Sequence, residues 1–110
     1  VPPGWKEEVE TMTTFVLLSK VAPESVRRVK NLPAMDKAFE RKVKEQCPEV
    51  KRIASYALLG SYDFMHIFEA PDAVNAAKVA LLANEFGAGS TQTLTAIPFA
   101  EFGKLLKEIA

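Results

Sequence analysis

Apolar residues along this chain recur at two different spacings, and the switches between them divide it into elements. Residues 13–20, TTFVLLSK, are short, β-branched and apolar, as a strand requires. The run stops at Ala22-Pro23, where the proline ring presets the φ of a first helical turn. Residues 23–32, PESVRRVKNL, predict a short amphipathic turn or two, broken by Pro33, which lacks the N–H that a helix interior needs. In 33–47, PAMDKAFERKVKEQC, the residues Met35, Phe39, Val43 and Cys47 recur every four positions and form one stripe of a helix. Glu40 and Lys44 pair on its outer side for about 0.3 kcal/mol. Such a helix covers an apolar surface.

Two β-rich runs follow, 50–59 (VKRIASYALL) and 62–69 (YDFMHIFE), and the Gly60-Ser61 pair between them predicts an antiparallel hairpin with a two-residue turn. Ala70-Pro71-Asp72 then opens a second helix, with Asp72 as its cap or first-turn carboxylate, and AVNAAKVALLANEFG ends at Gly87. Small side chains at Ala73, Ala76, Ala77, Ala80 and Ala83 let this helix lie close to a sheet, with Val74, Leu81 and Leu82 supplying contact area. Residues 89–98, GSTQTLTAIP, predict a threonine-rich fourth strand ended by Pro98. A closing amphipathic helix carries Phe99, Phe102, Leu105, Leu106 and Ile109.

The order β-α-β-β-α-β plus a terminal helix is the split βαβ pattern of an α+β, ferredoxin-like domain. It gives a four-stranded antiparallel sheet with the first and third strands central and both main helices on one face. Alternation along 62–69 puts Tyr62, Phe64, His66 and Phe68 on one side and Asp63, Met65, Ile67 and Glu69 on the other. The first strand behaves alike, with Phe15 and Leu17 opposed to Val16 and Leu18. Both faces are therefore apolar, and leaving one in water would forfeit roughly 6 kcal/mol of transfer free energy. A second copy of the sheet is the economical cover, in a two-fold dimer whose sheets face each other as an α+β barrel.

Composition narrows the function classes. The 110 residues, 48% hydrophobic, fit one globular domain. The 14 basic and 14 acidic residues balance, and no Lys/Arg run exceeds Arg27-Arg28, which disfavours a nucleic-acid partner. No apolar run approaches the roughly 20 residues of a membrane span, and the first residues lack the pattern of a signal peptide, so a cytoplasmic location without membrane association is expected. Cys47, the lone cysteine, reads as a small apolar residue near a helix end. Residues 1–12 differ in character from the rest, and the domain proper is expected over 13–110. Lys6-Glu7-Glu8-Val9 can be encoded by a purine-rich, bacterial ribosome-binding sequence a few codons before Met12. The segment is thus expected to be either a translated leader or a flexible tail whose Trp5 docks on the domain.

Gly60-Ser61-Tyr62-Asp63, the apolar strand after it, and Glu69-Ala70-Pro71-Asp72 resemble the signature of the GYD domain family. Phe15 to Lys20 with Pro23-Glu24 is similar to that family's opening strand and helix start, and Thr91-Gln92-Thr93-Leu94 to its last strand. The resemblance spans about Thr13 to Phe102. It implies a ferredoxin-like chain of the dimeric α+β barrel group, and it carries no active site over to these residues, because Ser61 and Met65-His66 vary the strand.

Candidate chemistry comes from the expected pairing. With the first and third strands antiparallel, Ser19 and Lys20 fall at the same sheet end as Tyr62 and Asp63, near Tyr56 or Leu58 and near Thr91 and Thr93. Read catalytically, Lys20 binds an anion or polarises a carbonyl, Asp63 is a base, and Tyr62 or Tyr56 donates a hydrogen bond. Read structurally, Lys20 and Asp63 pair beside a turn and Asp63 accepts backbone hydrogen bonds. His66 is either a proton-transfer group in the dimer cavity, a histidine tied down in a core or interface, or an axial haem ligand. Neither cofactor nor metal is expected, since one histidine with scattered carboxylates makes no ligand set and no phosphate-binding loop occurs. Two readings remain. One is a homo-oligomeric assembly or small-molecule-binding module, with Tyr56, Phe64 and Thr93 as candidate ligand contacts. The other is a cofactor-independent enzyme, oxygenase- or isomerase-like, acting in the barrel cavity on a small aromatic or carbonyl compound through His66 with Tyr62, Asp63 or Lys20.

Overall fold

The computed structural model describes residues 11–24 and 30–110. The reading of residues 1–12 as a leader or tail, Thr11 and Met12 apart, and residues 25–29 of the short helical turn expected over 23–32 lie outside the described residues. The elements are β1 (Thr13–Val21), α1 (Leu32–Gln46), β2 (Lys51–Ala57), β3 (Phe64–Ala70), α2 (Ala73–Glu85), β4 (Ala88–Ala96) and α3 (Phe99–Ile109). The sheet order is β2-β3-β1-β4 with every neighbouring pair antiparallel, the split βαβ arrangement that the element order predicts.

Strand alternation decides which side chains meet the helices. Phe15, Leu17 and Ser19 of β1 face them, opposite Phe68, His66 and Phe64 of β3. Phe15 stacks on Phe68 with ring centroids 5.7 Å apart. The core closes over this row with Phe39 of α1, Cys47 just after it, and Ala76, Val79, Leu82 and Ala83 of α2. The α1 stripe is thus as its four-residue spacing predicts. Burial pushes the Cys47 thiol pKa up, as its role of small core residue demands.

The α2 register differs from expectation. Val74 is 64% exposed and Leu81 66% exposed. At 100° per residue, the face built from Ala76, Val79 and Leu82 leaves positions 74 and 81, two full turns apart, together on the outer side. The alanine-rich inner face brings the helix near the sheet without help from either. Its start is as predicted. Asp72 caps α2, its carboxylate accepting the Asn75 backbone N–H at 2.8 Å, and that bond together with one from the Asn75 side chain holds the Asp72 pKa below the usual value.

The hairpin also differs. Instead of a two-residue Gly60-Ser61 turn, residues 58–63 form a longer connection between β2 and β3, in which Gly60 takes φ 142°. The Leu58 N–H donates to the Asp63 carbonyl at 2.8 Å, closing the loop. The Asp63 N–H donates to the Ser19 carbonyl, and its carboxylate accepts the Val21 N–H. Asp63 is therefore committed to β1, and regular β2–β3 pairing begins only at Phe64.

Two register shifts shape the sheet. One lies between β1 and β4 at Lys20/Val21, where Gly89 of β4 is the extra residue and passes so close to Ala22 that a Cβ there would stand 2.8 Å from the Ala22 Cα. The other is in β2, where Ile53 is the extra residue between Arg52, opposite Phe68, and Ala54, opposite Ile67.

The helix α3 has the predicted amphipathic stripe but little to pack on. Among the described residues it makes no extensive contact with another element, and Phe99 (87% exposed) and Ile109 (81%) stand in solvent. Among the described residues no helix is long and apolar enough to cross a membrane.

Candidate functional site

The bulge at Ile53 builds the polar part of the site. In an unbroken strand Arg52 and Ser55, three positions apart, would point to opposite faces. With one extra residue between them, both lie on the helix side beside His66 of β3. The Arg52 guanidinium forks onto Asp36 of α1, Nη2 to Oδ1 at 2.8 Å and Nη1 to Oδ2 at 3.2 Å. Glu40, one turn further along α1, approaches Nη1 at 3.8 Å. Arg52 Nε donates to Ser55 Oγ at 2.8 Å, and Ser55 Oγ lies 2.7 Å from His66 Nδ1, with Arg52 Nη2 3.3 Å from the same nitrogen.

These contacts fix the imidazole tautomer. A guanidinium only donates, so His66 Nδ1 accepts from Arg52. Ser55 Oγ, already accepting from Arg52 Nε, donates its own proton to Nδ1. The His66 proton is then on Nε2. The protonated ring is disfavoured first by burial and then by the Arg52 charge, with Asp36 opposing, so the His66 pKa falls below 6.5 and the ring is neutral at pH 7.

Around this network, α1, the end of α2 and the helix side of the sheet line a half-open cavity of about 290 Å³, walled by Met35, Phe39, Phe64 and Phe86 beside Arg52, Ser55 and His66. Phe39 holds the imidazole in place with ring centroids 5.9 Å apart. No three His, Cys, Asp or Glu side chains among the described residues gather where a metal ion would be held.

The predicted site residues divide between two faces. His66 and Phe64 share the cavity, which Lys20 and Tyr56 also border. Tyr62 does not join them, although alternation placed it with His66. It precedes the first paired residue of β3, and its hydroxyl donates to Gln92, which sits opposite Leu18 on the face away from the helices. Lys20 Nζ lies 5.7 Å over the Tyr62 ring, a cation–π contact at the sheet end where the sequence put both. Asp63 makes the backbone bonds of the structural reading and no ion pair with Lys20. Thr93, opposite Leu17 on edge strand β4, is exposed and away from the cavity. The constellation of His66 with Tyr62 and Asp63 is therefore not assembled within the chain. Arg52, Ser55 and Asp36 escape a reading of the sequence, because nothing in VKRIASYALL marks the bulge that aligns the first two.

A ferredoxin-like chain with one helix-covered face and one open apolar face defines the class. The chain belongs to the GYD domain family, whose pattern it matches over residues 15–106. It is 34% identical over 96 residues to the glutamine synthetase and cystathionine beta-lyase binding protein of Thermus thermophilus, covering 87% of this chain and all of that one. Among solved structures, the transcriptional regulator NMB0573 of Neisseria meningitidis aligns with a TM-score of 0.57 at 18% identity, over 89% of this chain and 56% of the regulator, so the chain spans little more than half of that protein. TTHA0845 of Thermus thermophilus aligns with a TM-score of 0.53 at 19% identity, over 78% of this chain and 94% of that one. At these identities the two structures share the fold alone.

Proposed function

We propose that this chain is a homo-oligomeric binding module, paired through its open sheet face, that associates with metabolic enzymes in the cytoplasm. The observation that carries the reading is the apolar row on the face away from the helices. Val16 and Leu18 of β1 lie beside Met65 and Ile67 of β3 and Leu94 of β4, all at least partly in solvent in the single chain. Four of the five are already half-buried in the single chain, so pairing recovers part of the roughly 1.5–3 kcal/mol that full burial of each contributes, a net drive toward association. Two-fold pairing also brings two copies of the Lys20–Tyr62–Gln92 cluster to one assembly. The Thermus relative's name supports a protein partner, and glutamine synthetase is the probe it suggests.

Sedimentation velocity of the wild type and of Ile67→Asp tests the assembly. The wild type sediments as a dimer or a multiple of it, and the variant as a monomer with unchanged helix content. A wild type that stays monomeric at high micromolar concentration overturns the pairing. Purified glutamine synthetase from the same organism, titrated in biolayer interferometry, tests the partner, and a flat response overturns that half of the reading.

A further inference from the structure

The helix-side cavity has a feature that the network beneath it does not use. His66 Nδ1 is taken by Ser55 and Arg52, and among the described residues none bonds to Nε2. Among the described residues no buried side-chain nitrogen or oxygen lacks a partner, so Nε2 is reachable from the cavity or from water. It is a fixed N–H donor on a ring whose tautomer and orientation are set by neighbours on two other elements. The cavity is largely apolar, with Leu32, Met35, Phe39, Phe64 and Phe86 in its wall beside the polar Arg52, Ser55 and Asp36. A largely apolar space with a few preset polar groups is the usual composition of a small-molecule site.

Charge selects the ligand. The Arg52 cation is already offset by Asp36, with Glu40 close behind, and Lys20 is occupied over Tyr62. An anion hydrogen-bonded to the imidazole would find the neighbouring Arg52 cation already paired and would face the Asp36 carboxylate on the cavity wall. A cation would find Nε2 a donor rather than an acceptor. What fits is a neutral acceptor, a carbonyl or amide oxygen. Size limits it further, since a void of about 150 Å³ holds benzene, and about 290 Å³ here accommodates one substituted ring.

We propose that the cavity between α1 and the sheet binds a small, largely apolar molecule bearing one neutral carbonyl-type acceptor, which His66 Nε2–H holds by a hydrogen bond. The site lies on the helix side of the sheet, opposite the face proposed for pairing.

Because His66 is the sole histidine, its ring nitrogens give unambiguous signals in protein labelled with ¹⁵N-histidine. The probes are acetophenone, which has a carbonyl acceptor, and cumene, of similar shape without one. Acetophenone is expected to shift the Nε2 signal saturably while the proton stays on Nε2, and to bind about tenfold more tightly than cumene. His66→Phe is expected to lower acetophenone affinity about tenfold, to the cumene level, and to leave cumene unaffected. Ala57→Phe, from an exposed position on the cavity wall, keeps the polar network and fills the space, and is expected to abolish binding of both probes. No saturable shift, equal affinity for the two probes, or binding that survives Ala57→Phe would each overturn the proposal. If His66→Phe does not fold, the wild-type probe comparison and Ala57→Phe decide the question.

Discussion

The Asp63 carboxylate accepts the Val21 backbone N–H at 2.8 Å, while the Asp63 N–H donates to the Ser19 carbonyl at 2.8 Å. One residue thereby ties the hairpin connection to the end of β1, where the β1–β4 register shifts. Asp63→Ala leaves the Val21 N–H without its acceptor and is expected to cost about 1–2 kcal/mol in urea unfolding. Asp63→Asn retains a side-chain oxygen and should cost less. If Asp63→Ala leaves stability unchanged, this bond is not what anchors the connection.

Phe39 joins the core to the cavity, with its ring 6.2 Å from Phe86 and 5.9 Å from His66. Phe39→Ala is expected to destabilise the fold by about 3–5 kcal/mol. It also lets water reach the imidazole, so the His66 pKa, followed by NMR, moves up toward 6.5. An unchanged titration would show that Phe39 does not supply the burial.

The depressed His66 pKa has a defined effect on stability. The groups facing the ring are Ser55 and Arg52 from β2 and Phe39 from α1, with Asp36 of α1 beyond Arg52. Above about pH 6.5 the ring is neutral in folded and unfolded chains alike. As pH falls below that value the unfolded chain takes up the proton first, and stability declines until the folded pKa is passed. Urea midpoints measured between pH 7.5 and about pH 5, above most carboxylate titration, should fall for the wild type and stay flatter for His66→Phe. A wild-type profile no steeper than the variant's would contradict the shift.

Gly89 owes its identity to close approach rather than to an unusual φ. A methyl there would meet the Ala22 backbone at 2.8 Å, and backbone does not yield as a side chain end does. Gly89→Ala is expected to cost about 1–3 kcal/mol, read as a lowered urea midpoint. A neutral result would mean that β4 can slide at the register shift.

Much of this protein was determined by the sequence alone, where a signal is local and periodic. The four-residue stripe through Phe39 and Cys47, the Asp72 cap, and the strand alternation that separates Leu17 from Leu18 each arise from neighbours within a few residues, and together they give the element order and the sheet order. Tertiary structure decided what depends on how distant segments meet. Asp63 bonds to β1, so the hairpin is longer than Gly60-Ser61 implies and Tyr62 escapes the alternation that begins at Phe64. Ile53 bulges, so Arg52 and Ser55 share a face, and only then can Asp36, sixteen residues earlier than Arg52, complete the network that fixes the proton on His66 Nε2. A bulge has no periodicity of its own to be read. It is chosen by the cross-strand bonds and packing that it permits, which exist only once the sheet and α1 have come together.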